Sequence, residues 1–135
     1  MDVVVTVPKN FHAENYFERD DWDDSLRGLR SWIQEGDAAG GKYATGIEWY
    51  FRLGGNQPDI VPGERVYIVS EGKLRGYAPL LRIEDDGRYK GRYSLVRGAG
   101  AVAVTISEPI QGFRGFRYRW WKYEDERPFP DWQTP

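Results

Sequence analysis

From Thr45 onward the chain is cut into short β-favouring runs by turn chemistry, at intervals of about 8–12 residues, and that cadence restricts it to a small sheet-based fold. "TGIEWYFRL" alternates, so Ile47, Trp49, Phe51 and Leu53 share one face of a strand and Glu48, Tyr50 and Arg52 the other. "GGNQPD" is a turn, and "PGERVYIVS" predicts a short buried strand over Val66–Val69. "EGK" turns tightly into "LRGYAPLLRIE", where Pro79 indicates an edge or a bulge. "DDGRYKGRY" reads as a polar hairpin or loop, Ala101–Ser107 as a strand, and "EPIQGFRGFRYRWWKY" ends in another over Phe116–Tyr123. At the other end of the chain, "VVVTVP" is β-branched and closed by a proline, as expected for a central first strand.

One segment breaks the pattern. Trp22, Leu26, Leu29 and Ile33 fall at i, i+4, i+7 and i+11, Asp residues 20, 21, 23 and 24 crowd the start, and Gly36 suits the end, which predicts a helix over about 22–35. The expected fold is therefore α+β: one main N-terminal helix against a small mixed or antiparallel β-barrel, in a single domain over 1–135 with an irregular proline-rich tail from about 124.

Zero cysteines exclude disulfides and thiolate metal sites, and a lone His12 excludes a histidine-rich zinc site. No apolar run approaches the ~20 residues of a membrane span, the N-terminus has no signal-peptide pattern, and a soluble, cytoplasmic monomer is expected. "DDWDD" lacks the spacing of a calcium loop, and "GAGAVAV" precedes a strand, the wrong context for a dinucleotide fingerprint, so neither metal nor cofactor is implied. Residues 1–64 carry 6 basic and 12 acidic residues, whereas 65–135 carry 13 basic and 9 acidic, which points to a basic face built by the second half.

"PGERVYIVSEGKLRGYAPLLRIE" (62–84) resembles the central hairpin of PUA-like domains, the ASCH and EVE branches above all. The preceding strand, helix and "GGKYATGIEWYFR" follow in the order those domains use, and the ASCH motif is matched in part by Gly40, Lys42 and Thr45, with Glu48 and Arg52 displaced. The resemblance implies a PUA-like pseudo-barrel with a cleft beside the helix that binds RNA or a modified nucleobase. It also implies an alternative, a small amidohydrolase of an acylated nucleoside using Lys42, Thr45 and Glu84, with Glu48 as a substitute carboxylate. Chemically, a lysine made less basic by burial would activate the threonine hydroxyl.

The residues themselves carry a related reading. In "GFRGFRYRWWKY" six of twelve residues are aromatic and four are Arg or Lys. As a strand, Phe116, Tyr118 and Trp120 would form a core stripe, while Arg117, Arg119, Trp121 and Tyr123 would face outward, the mix that single-stranded nucleic acid requires. The competing reading lays the arginines on the rings as solvated cover. The mix recurs at Tyr50, Arg52, Arg75, Tyr77, Tyr89, Arg92 and Tyr93. The expected partner is single-stranded RNA or DNA, or a modified nucleobase. Trp49, Tyr50, Tyr77 and Trp121 would stack, and Arg52, Arg75, Arg117 and Arg119 would contact phosphates. A protein-interaction surface built from the same aromatics is the third possibility.

Overall fold

The computed structural model describes residues 1–9, 28–29, 48–87, 90–98 and 101–134. Eight strands are present among them: β1 (Val3–Thr6), β2 (Glu48–Gly54), β3 (Arg65–Ser70), β4 (Lys73–Asp85), β5 (Arg92–Gly98), β6 (Val104–Thr105), β7 (Phe116–Tyr118) and β8 (Arg127–Pro128), with a 3-10 turn at Tyr123–Asp125. Six form one sheet in the order β2-β5-β4-β3-β1-β7, and β6 pairs with β8 apart from it. Only β1 and β3 run parallel; every other pair is antiparallel.

The β1–β3 pair shows why both strands read as continuous apolar runs. A parallel pair at the middle of a sheet is covered on both faces, so neither face can be polar. Val3, Val5, Val7, Val66 and Ile68 enter one core with Trp49, Phe51, Ile60, Leu80, Tyr93, Leu95 and Trp132. Val4, Tyr67 and Val69 enter a second core on the other side with Leu74, Ile106, Ile110 and Trp121.

β4 is the hinge of the architecture. Its first half pairs with β3, from Ser70↔Lys73 to Arg65↔Pro79, and its second half pairs with β5, from Leu80↔Arg97 to Asp85↔Tyr93. Pro79 stands at the changeover, where the missing N–H interrupts neither ladder. The register slips beside it, between Leu80 and Arg82, so the bulge indicated by the sequence is present. The β3–β4 hairpin closes through Glu71 and Gly72, both at positive φ (51° and 77°), as a two-residue primed turn requires. Gly76 has φ 151°, and a Cβ there would collide with the carbonyl oxygen of Val102, which bridges to Tyr77. Only glycine allows that close approach.

Several expectations are corrected. The α+β fold with one main helix gives way to a nearly all-β architecture among the described residues, a mixed sheet curled into a half-barrel. The helix expected over 22–35 lies outside the described residues apart from Gly28 and Leu29, and Leu29 is buried in the first core. Much of the added β content is β5, in the Arg92–Gly98 stretch to which no strand was assigned. It pairs with β2 along its whole length and buries Tyr93, Leu95, Val96 and Arg97. The predicted 101–107 strand contracts to Val104–Thr105 plus the Val102 bridge.

The terminal strand is likewise short. β7 pairs with β1 only to Val3↔Tyr118, Arg119 N–H donates to Asp2 O at 3.1 Å, and the chain then turns. The turn reverses the expected facing of the tryptophans: Trp121 is 7 % exposed in the second core, while Trp120 is 43 % exposed with Nε1 donating to Glu108. Within the tail, β8 pairs with β6, Phe129 N–H donates to Ala103 O, and Trp132 is buried in the first core. No helix among the described residues is long and apolar enough to cross a membrane.

Candidate functional site

Three strands separate β2 from β1 in the sheet, yet Tyr50–Leu53 and Val5–Lys9 line the same cleft. The curl has brought the β2 edge round towards β1, leaving an open seam of about 1150 Å³. Its third wall is the loop 111–115, and Glu71 and Gly72 of the β3–β4 turn close one side. Thr6 pins the loop to β1: its Oγ1 accepts from Phe113 N–H at 3.2 Å, and its methyl group would sit 3.0 Å from a Cβ at Gly112. A side chain at position 112 would push the wall outward.

The seam brings together Lys9, Arg52 and Arg114 with the rings of Tyr50 and Phe113. All three cations are exposed. Among the described residues none of them has a carboxylate at ion-pair distance. One acid among the described residues, Glu71, lines the seam. Arg117 adds a fourth positive charge nearby, its guanidinium 4.4 Å from the Phe113 ring centroid. Tyr50 is held from behind: its hydroxyl accepts from Arg82 Nη2 at 3.0 Å and donates to Glu48 Oε2 at 3.3 Å.

Arg82 itself is fully engaged. It forks onto both oxygens of Glu48 at 2.9 and 2.7 Å, and Nε donates to Glu84 Oε1 at 2.7 Å. The bond from Arg82 holds the Glu48 carboxyl below the usual carboxylate range. Glu84 and its substitute Glu48 are therefore joined through one guanidinium, and Lys42 and Thr45 lie outside the described residues.

A second aromatic–arginine assembly occupies the end of the "GFRGFRYRWWKY" stretch. Glu126 accepts from Tyr67 OH at 2.5 Å, from Trp121 Nε1 at 2.9 Å and from Arg65 Nη1 at 3.2 Å. The Arg65 guanidinium lies 4.0 Å from the Tyr77 centroid and 4.6 Å from that of Tyr123. Arg119 lies 4.0 Å from the Tyr123 centroid, donates to Asp2 Oδ2 at 3.2 Å, and also reaches the carbonyl of Trp121. Asp2 further accepts from Tyr123 OH at 2.5 Å and from the Arg65 N–H at 2.9 Å. Burial pushes the Asp2 carboxyl up, but the bonds from Tyr123, Arg65 and Arg119 outweigh it and leave it below the ordinary value. Burial, then the bond to Glu126, pushes the Tyr67 phenol well up. Here the arginines do lie on the rings, and carboxylates neutralise them.

The eight expected binding residues thus separate into distinct places. Tyr50 and Arg52 line the seam, and Arg117 stands over its Phe113 wall. Tyr77, Arg119 and Trp121 belong to the carboxylate-bearing assembly. Trp49, 4 % exposed, is in the first core. Arg75, 1 % exposed, donates to the carbonyls of Ser70 at 2.9 Å and Trp132 at 2.7 Å, and to that of Thr134. Its guanidinium ties down the tail and is closed to solvent. Arg97, which nothing in the sequence singled out, is fully buried beside Phe51.

The sequence reading missed Lys9, Phe113 and Arg114. "GFRGFR" contains the last two, but attention to Phe116–Tyr123 as a strand passed over the glycine-flanked loop in front of it. Among the described residues no group of His, Cys, Asp and Glu side chains could hold a metal ion. No family model, curated protein or solved structure matches the chain, and nothing in the comparisons identifies a PUA-like domain.

Proposed function

We propose that this protein is a binding module for nucleic acid or a modified nucleobase, and that the ligand enters the seam between β2 and the 111–115 loop. The observation that carries the reading is the conjunction of Lys9, Arg52 and Arg114, unpaired among the described residues, with Tyr50 and Phe113 in one cleft. Unneutralised guanidinium and ammonium groups attract phosphate oxygens, and rings beside them supply stacking worth about 1–3 kcal/mol per base. The Arg82–Glu48 fork supports the same role by fixing the Tyr50 hydroxyl, which limits the ordering that a ligand must impose on that ring.

The test is fluorescence anisotropy with labelled single-stranded RNA and DNA at two salt concentrations. Binding should weaken at the higher salt, because cations that meet phosphates release counterions. The Arg52→Ala/Arg114→Ala double variant should bind at least tenfold more weakly while keeping the wild-type circular dichroism spectrum, since about 1.4 kcal/mol corresponds to a factor of ten. Wild-type protein that binds neither polymer at low salt would remove the proposal.

A further inference from the structure

We infer that the seam takes a short, discrete ligand, one or two phosphate-bearing nucleotides, and not a strand running across the surface; this rests on the function proposed above. Unneutralised charge gathers at the seam and its Phe113 wall. A strand in transit needs a track of unneutralised cations leading out of the site at both ends. Inside the seam Lys9, Arg52 and Arg114, and beside it Arg117 over the Phe113 ring, have no carboxylate at ion-pair distance among the described residues. Behind Tyr50, the next cation is Arg82, which two carboxylates, Glu48 and Glu84, have already neutralised. Arg65 and Arg119, further along the C-terminal stretch, are paired with Glu126 and Asp2. Glu71 stands in the lining and would repel an additional phosphate on its side.

Size agrees with charge. A cleft of about 1150 Å³ lies just above the usual range for small-molecule sites, roughly 300–1,000 Å³. The two rings available, Tyr50 and Phe113, match one or two bases.

Three ligands of one base composition decide the matter: a 5′-phosphorylated dinucleotide, a 10-mer and a 30-mer, each titrated against the wild-type chain. The dinucleotide should bind within about tenfold of the 10-mer, a margin that covers the several registers a 10-mer offers. For the 10-mer and the 30-mer alike, log K should fall with log salt at a slope of about −2.8, four cations at about −0.7 each on single strands. The Arg52→Ala variant should bring that slope to about −2.1. A dinucleotide more than tenfold weaker than the 10-mer, or a slope steeper than about −4 that grows from 10-mer to 30-mer, would overturn the short-ligand inference while leaving the proposed function intact. Failure of all three ligands to bind at low salt would instead remove the function on which it rests.

Discussion

The seam and the Glu126–Asp2 assembly are made of the same residue types, aromatic rings and arginines, yet they differ in one respect that decides what each can do. Around Glu126 and Asp2 every arginine has a carboxylate and a ring partner: Arg65 and Arg119 are each bonded to an acid and stacked on tyrosine. In the seam, Lys9, Arg52 and Arg114 have neither among the described residues. A satisfied cluster fastens the chain to itself and offers little to a ligand, because each new bond must displace an existing one. An unsatisfied one adds little to folding and keeps its charge for something else. Aromatic–basic composition is therefore a poor guide to binding until the counter-charges are located.

The contrast is most easily broken at Trp121. If the assembly is a fastening, Trp121→Ala should cost about 3–5 kcal/mol, the usual range for removing a buried aromatic side chain, read as a lower urea midpoint. It would also leave Glu126 without one of its three donors. A stability change under 1 kcal/mol would mean that the C-terminal stretch is a surface after all.

Arg75 gives the next largest effect. Its guanidinium bonds the carbonyls of Ser70, Trp132 and Thr134 from a buried position, so Arg75→Met leaves the tail carbonyls unmatched and should cost about 2–3 kcal/mol. The loss should begin locally. Limited proteolysis should cut the chain beyond β8 in the variant before the rest of the sheet unfolds, and equal protection of the tail in both proteins would refute the tie.

What could be read from the sequence is what short-range pattern encodes. The apolar run of β1, the Trp49–Phe51 alternation of β2 and the Glu71–Gly72 turn each declare themselves within a few residues. β5 does not, because Arg97 is buried where the alternation calls for an apolar residue, and Arg92 and Ser94 make the run look like loop. Pairing is less visible still. Arg119 finds its carboxylate 117 positions away at Asp2, and Arg65 finds its own 61 positions away at Glu126. No local window distinguishes Arg119, neutralised by Asp2, from Arg114, five residues earlier and without a carboxylate partner among the described residues. The seam was legible only as its β2 half, Tyr50 and Arg52. Its other half depends on the curl of the sheet, which sets β2 opposite a loop some sixty residues later.

A smaller effect should follow acidity. Asp2 has its carboxyl held below the ordinary value, so the stability it contributes is fully present above its unfolded value near pH 3.9. That contribution is lost as pH falls through the lower folded value. Comparing wild type with Asp2→Asn in urea, the gap in midpoint should be widest at about pH 5 and above, and should close progressively below pH 4. A gap that is the same at pH 6 and pH 2 would show that the carboxylate charge, and with it the pairing to Arg119, is irrelevant to the fastening.

The smallest effect carries the sharpest discrimination. Arg52→Ala should alter stability by no more than about 0.5 kcal/mol, as surface substitutions away from any bonded network do. Its side chain is exposed and lacks an ion-pair partner among the described residues, so nothing is left unmatched when it goes. Removing one of three like charges around a single cleft also relieves repulsion, so any shift in the urea midpoint should be upward. A loss of 1.5 kcal/mol or more would place Arg52 in the same class as Arg119, a residue held by the fold, and the distinction between a satisfied cluster and an unsatisfied cleft would fail at its most exposed point.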